Sequence, residues 1–273
     1  MNASFLKRSL ILGVSLVVVL AASCTESVKT GPLVEESHSV ELGDAETVRA
    51  EIEMGAGKLN IKGGSHDLLD AEFKYNVAEW KPEIEYSVAG TRGDLAVRMP
   101  PGQGYRLGRG VKYEWYLSFS DDVPVDMSVE LGAGESHLLL APLHLERLTV
   151  KAGAGAVLVG LGGSRALSKL KIETGAGAVH VDLAGEWAHD LKADISGGIG
   201  MVTLRLPVGV GVRVDVSKGI GKVNAPDFVK QDGAYVNEAY GKSDVTLSID
   251  VETGIGAINL ELEEPCEPEG TII

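Results

Sequence analysis

Glu173-Thr174-Gly175-Ala176-Gly177-Ala178-Val179-His180-Val181 carries the pattern that decides the fold. Its Gly-x-Gly core returns along the chain, with first glycines at Gly55, Gly132, Gly153, Gly175, Gly198, Gly219 and Gly254. From Gly132 to Gly219 successive copies lie 21, 22, 23 and 21 residues apart, a period that marks a repeat architecture. Three positions before the first glycine stand Ile52, Val129, Val150, Ile172, Ile195, Val216 and Val251, all β-branched. Five before it stand Ala50, Met127, Leu148, Leu170, Ala193, Val214 and Ile249, and the positions between are polar: Glu51, Ser128, Thr149, Lys171, Asp194, Asp215 and Asp250. This alternation predicts a strand with one buried face entering each glycine.

A second strand is predicted to leave it. Four residues after the first glycine come Leu59, Val157, Val179, Val202, Val223 and Ile258, with Ser136 as the exception. Six after it come Ile61, Leu138, Val159, Val181, Leu204, Ala225 and Leu260. The two strands are out of phase. The incoming alternation makes the residue after the first glycine inward, and it is Ala or Ile in every copy. One residue must then be absorbed before the next inward position. The second glycines, Gly57, Gly134, Gly155, Gly177, Gly200, Gly221 and Gly256, are the expected corners. The first glycine, on the outward face, allows close approach of another segment. A single coil offers four or five inward side chains, each worth roughly 1.5–3 kcal/mol when buried, against an ordering entropy of similar size. Coils must therefore stack. The fold expected is all-β, a single-stranded β-solenoid-like stack of ~22-residue Gly-x-Gly coils, with antiparallel sandwich hairpins as the structural alternative.

The chain has 273 residues, 35 glycines, 5% aromatics and a formal charge of −14. That charge argues against nucleic acid, whose phosphates need basic patches. Lys7 and Arg8 precede an apolar run from Leu10 to Ala22, then Ser23-Cys24. The layout is that of a signal peptide over residues 1–23, too short for a comfortable membrane span, and it resembles a bacterial lipoprotein signal with Cys24 as the lipidated residue. Secretion after cleavage nearby is the simpler alternative. With Cys24 lipidated, Cys266 stands alone and no internal disulfide is expected. Residues 24–44 read as a flexible tether, 45–122 as an N-terminal cap, 123–263 as the repeat stack and 264–273 as a tail. Between Gly55 and Gly132, strands are expected over Leu68–Val77, Trp80–Tyr86 and Asp94–Met99.

Met54-Gly55-Ala56-Gly57-Lys58-Leu59-Asn60-Ile61, Leu68-Leu69-Asp70-Ala71-Glu72-Phe73, Trp80-Lys81-Pro82-Glu83, Trp115, Val123-Pro124-Val125-Asp126 and Glu130-Leu131-Gly132-Ala133-Gly134-Glu135 together resemble the toast-rack N-terminal family. The C-terminal half resembles LiaF-like cell-wall-active-antibiotic response domains and adhesin-like β-repeat domains. The resemblance covers about residues 45–263. It implies a stacked β fold in a bacterial envelope protein; the relatives that regulate envelope-stress signalling carry transmembrane helices, and none is expected here after the signal. It brings no catalytic residues with it.

The candidate binding surface is Tyr105, Arg106, Arg109, Tyr113, Trp115 and Tyr116, where aromatics cluster among cations as they do in interface anchors. The competing reading is an end cap whose aromatics seal the core. The longer step from Gly219 to Gly254 inserts a segment bearing Phe228, Tyr235 and Tyr240, either a decoration on the binding face or a loop packed by its own aromatics. His137 and His180 share a position two coils apart, too far to share a zinc ion. Asp194, Asp215 and Asp250 share another, where Lys192 and Arg213 relieve their repulsion on the same face. No metal, cofactor or catalytic residue is expected. The function expected is a non-catalytic, lipid-anchored cell-envelope protein, presenting a binding or scaffolding surface in envelope-stress sensing or adhesion, with an envelope protein or glycan as partner. An open end of the stack also invites another chain, so an oligomer is compatible. The alternatives are a polysaccharide-active enzyme with carboxylates on one face, and a regulator of a membrane signalling partner.

Overall fold

The computed structural model describes residues 28–100, 108, 110–164 and 166–263. Its strands are β1 (Val34–Val40), β2 (Thr47–Ser65), β3 (Leu69–Tyr75), β4 (Glu83–Ala89), β5 (Arg92–Arg98), β6 (Tyr113–Ser120), β7 (Val125–Leu139), β8 (Leu145–Gly160), β9 (Lys169–Asp182), β10 (Leu191–Pro207), β11 (Gly211–Asn224), β12 (Val229–Gln231), β13 (Ala234–Val236) and β14 (Thr246–Glu263). All join one mixed sheet, ordered β1-β3-β6-β2-β7-β8-β9-β10-β14-β11-β13-β12, with β5 and β4 branching from β2. The fold is all-β and solenoid-like. A short 3₁₀ turn, Ala78–Trp80, is the helical element among the described residues.

Each Gly-x-Gly copy is one continuous strand running through its glycines, rather than two strands meeting at a corner. The six strands β2, β7, β8, β9, β10 and β14, with β11 beyond them, pair in parallel and in register. Second glycine faces second glycine throughout: Gly57 with Gly134, Gly134 with Gly155, Gly155 with Gly177, Gly177 with Gly200, Gly200 with Gly256, and Gly256 with Gly221. Chain length alone requires these strands to bend. β8 has 16 residues and would run roughly 50 Å if straight, at about 3.3 Å per residue. Residues 161–168 must bring the chain back to pair Lys169 with Arg147 near the start of β8, and so short a link reaches only about 30 Å.

The bend sits at the second glycine. Gly57, Gly134, Gly155, Gly177, Gly200, Gly221 and Gly256 have φ of 150, 131, 128, 138, 149, 153 and 154°, a region essentially reserved for glycine. A Cβ on Gly177 would also strike the carbonyl oxygen of Gly155, and one on Gly175 the carbonyl of Gly153. Both glycines thus permit close stacking, and the second also turns the chain.

The inner faces of the two arms make one core. In β9 it takes Leu170 and Ile172 before the bend and Val179 and Val181 after it. The residue after the first glycine joins them only in the first copy, where Ala56 is 1% exposed; in the other copies it is not buried, contrary to expectation. Ile199, Ile255 and Ile220 are 59%, 48% and 74% exposed, because the turn begins there and takes the side chain out of the pleat.

Three further differences concern order and ends. β14, last in sequence, slots between β10 and β11, so the coils do not stack in chain order. Val34–Val40, inside the expected tether, is β1, paired antiparallel with β3. The strand expected from Trp80 starts only at Glu83, after the 3₁₀ turn. At the N-terminal end, β5 covers the first arm of β2 and β6 the second. At the other end the hairpin β12–β13 pairs with β11 at Arg213 and Val214. Phe228 and Tyr235 pack there against the core. The 1–23 and 264–273 segments lie outside the described residues.

Candidate functional site

The aromatic surface does not assemble as expected. Period-2 alternation along β6 turns Tyr113, Trp115, Leu117 and Phe119 inward. Trp115 is fully buried, edge-on to Phe73 at 5.5 Å. Tyr113 packs edge-on to Trp80 and its hydroxyl donates to the Trp80 carbonyl at 2.7 Å. These two belong to the cap over the core, and their burial withdraws them from any binding surface. Tyr116 alone of the described trio faces outward, half-buried, donating to Glu114 Oε2 at 3.0 Å under the Lys74 ammonium. Tyr105, Arg106, Arg109 and Cys24 lie outside the described residues.

What the stack does build is rows. Parallel strands in register set equal positions side by side, about 4.8 Å apart. His137 and His180 are separated by Leu158 in this way. Asp194, Asp250 and Asp215 do stand on adjacent strands, in that spatial order. Asp215 is held by Arg213 at 2.8 Å, and Lys171 lies beside Asp194. Lys171 also binds Glu173 at 2.8 Å; that hydrogen bond and charge hold the Glu173 carboxyl below its ordinary range. Among the described residues, no group of three or more His, Cys, Asp or Glu is placed to hold a metal ion.

Two residues before the aspartate row runs another. From β2 to β11 it reads Arg49, Asp126, Arg147, Lys169, Lys192, Ser248, Arg213. Five of its seven members are cations in a chain of net charge −14. Its N-terminal half borders a shallow groove of about 470 Å³ lined by Thr47, Arg49, Arg92, Asp126, Glu146 and Arg147. Arg49 Nη2 meets Glu51 at 2.8 Å, and Arg147 Nε stands 3.7 Å from Asp126. The aspartate row is found by aligning the copies on their glycines. The basic row follows from the same alignment, but each cation taken alone is an ordinary surface residue.

The family described as the N-terminal domain of toast_rack, DUF2154, matches residues 29–168 and 164–205. The chain belongs to this family. A crystal structure of a candidate cell adhesion protein from Clostridium sporogenes is 30% identical, with a TM-score of 0.66, over 85% of this chain and 100% of that one. A candidate adhesin from Bacteroides fragilis and a candidate lipid binding protein from Parabacteroides distasonis match at 9% and 10% identity, each over 84% of this chain and 97% of its own. Their TM-scores are 0.28 and 0.30. No curated protein matches. Among the described residues of this toast-rack protein, no helix is long and apolar enough to cross a membrane.

Proposed function

We propose that this toast-rack protein is a non-catalytic binding or adhesion protein of the cell envelope, held to its membrane by a lipid on Cys24. The observation that carries the reading is the similarity, at 30% identity, to the whole length of a candidate cell adhesion protein. The architecture supports it. A stack locked at its glycines presents rows of polar side chains on a rigid surface, which suits an extended ligand. The layout of residues 1–23 supports the anchor, and adhesion or the sensing of envelope stress is the setting in which such a surface acts.

The test uses the full chain and its Cys24→Ser variant in a bacterial host. The wild type is expected in the membrane fraction with an acyl mass on Cys24, and the variant is expected to be released. Both, once solubilised, are expected to retain an envelope component without altering it. Chemical conversion of that component, abolished by one Asp or Glu substitution, would replace the binding role with an enzymatic one.

A further inference from the structure

The seven-membered row of Arg49, Asp126, Arg147, Lys169, Lys192, Ser248 and Arg213 has an uninterrupted run of three cations at its centre. Arg147, Lys169 and Lys192 lie on the adjacent strands β8, β9 and β10, and the backbone register pairs Arg147 with Lys169 and Lys169 with Lys192. All three are exposed. Like charges directly opposite on neighbouring strands repel, and nothing in the packing of an outward position requires them. The end members are held by carboxylates: Arg49 by Glu51 and Arg213 by Asp215. Among the described residues, Arg147 has only the 3.7 Å ion pair with Asp126. Among the described residues, neither Lys169 nor Lys192 forms an ion pair. The row therefore keeps its least neutralised charge in the middle, continuous with the groove that Arg49, Arg92 and Arg147 line.

We propose that this row binds a linear acidic polysaccharide lying across the strands, along the stack axis. The inference rests on the binding role proposed above and names its ligand class. Cations repeating at about 4.8 Å present a regular series of sites for anionic groups spaced along an extended polymer. The acidic neighbours narrow the class. Asp126 and Glu146 line the groove with Arg147, and Asp194 follows Lys192 by two residues on β10; a carboxylate accepts hydrogen bonds from sugar hydroxyls, while it repels a densely phosphorylated strand. The row also lacks the aromatic platforms on which single-stranded nucleic acid stacks. The anionic group is carboxylate or phosphate, since either satisfies a lysine ammonium.

The experiment measures retention of polygalacturonate, phosphomannan, neutral dextran and single-stranded oligothymidylate by the full chain. Polygalacturonate or phosphomannan is expected to bind, with affinity falling as salt rises, and dextran is not. The acidic polymer that binds identifies the anionic group. Lys169→Glu with Lys192→Glu is expected to weaken that binding at least about tenfold, equivalent to 1.4 kcal/mol. Lys222→Glu, an exposed lysine on β11 away from the row, leaves it unchanged. Because the polymer relieves the repulsion within the row, it also raises the melting temperature of the wild type more than that of the Lys169→Gln, Lys192→Gln protein. No retention of either acidic polymer, equal retention by the charge-reversed protein, or preference for oligothymidylate overturns the inference. If the charge-reversed protein still captures its envelope component, the ligand class is wrong while the binding role stands.

Discussion

Gly177 combines the two constraints that act on every bend of the stack. Its φ of 138° excludes ordinary side chains, and its Cβ position is already occupied by the Gly155 carbonyl oxygen of the neighbouring strand. Backbone strain of this kind costs about 1–3 kcal/mol, and parting two paired strands adds to it. Gly177→Ala is therefore expected to destabilise by at least about 3 kcal/mol, lowering the melting temperature by roughly 6–12 °C at the sensitivity typical of this size. Gly209→Ala is the control. It has nothing within 4 Å and no positive φ, and should change stability by less than about 0.5 kcal/mol. Equal melting temperatures for the two variants would show that the bend does not need glycine. Ser136 poses the opposite case. It stands in the core row between Leu59 and Val157, 1% exposed, with its hydroxyl unpartnered. Removing an unsatisfied buried hydroxyl relieves a penalty of about 1–3 kcal/mol, less the packing lost with the oxygen. Ser136→Ala should therefore raise the urea midpoint, by an amount equivalent to about 1 kcal/mol.

Among the elements, β1 is tied to its neighbours by several polar contacts. It is an edge strand, and Glu36 within it accepts from Tyr75 at 2.9 Å and from Lys81 at 3.1 Å. The Lys81 hydrogen bond, then that of Tyr75, lowers the Glu36 carboxyl below its ordinary value of 4.5; burial, then Glu36 itself, pushes the Tyr75 hydroxyl up to about 12. For a carboxyl lowered by folding, the stabilisation is complete above pH 4.5 and is lost as pH falls through the lowered folded value. Hydrogen exchange along Val34–Val40 should therefore accelerate on acidification relative to β9, and Glu36→Gln should produce the faster exchange already at pH 7. Exchange in β1 that tracks β9 at every pH would assign its docking to the apolar contacts of Val34 and Val40. This strand also shows where sequence reading stops. Gly-x-Gly spacing and alternation make β7 to β10 legible because each copy repeats the same physical requirement. Val34–Val40 has no repeat, little apolar alternation and a partner supplied only by the tertiary fold. The place of β14 is illegible for a different reason: copies with equivalent glycines are interchangeable in a stack, so alignment says that they stack and not in what order. Tyr113 and Trp115 could have been placed from the alternation of β6, whereas grouping them by composition with Tyr116 set inward and outward residues on one surface.

For the molecule as a whole, stacking in register leaves ends, and the two ends are treated differently. The N-terminal end is sealed by β5 and β6 over both arms of β2. At the other end the hairpin pairs only with Arg213 and Val214, so among the described residues no strand covers the outer side of β11 from 215 to 224. Such an edge is a template for another chain, and the exposed Ile199, Ile255 and Ile220 lead toward it across β10, β14 and β11. Lys218 stands where other copies have Met54, Leu131, Ala152, Thr174, Gly197 and Thr253, and its ammonium donates to the Gly221 carbonyl at 2.8 Å on its own strand. With Lys222 it places two cations on the edge. Antiparallel pairing of two copies centred on Ile220 would bring each Lys218 against a Lys222, a repulsion that outweighs the little that two exposed isoleucines gain. The wild type should therefore not associate through this edge at low salt. Lys218→Thr with Lys222→Ala, which restores the residue types found on β14, should associate with rising concentration in sedimentation velocity. Adding Ile220→Asp should reverse it. A double variant that keeps the wild-type sedimentation coefficient over the same concentrations would mean that backbone geometry, rather than the two lysines, closes this end of the stack.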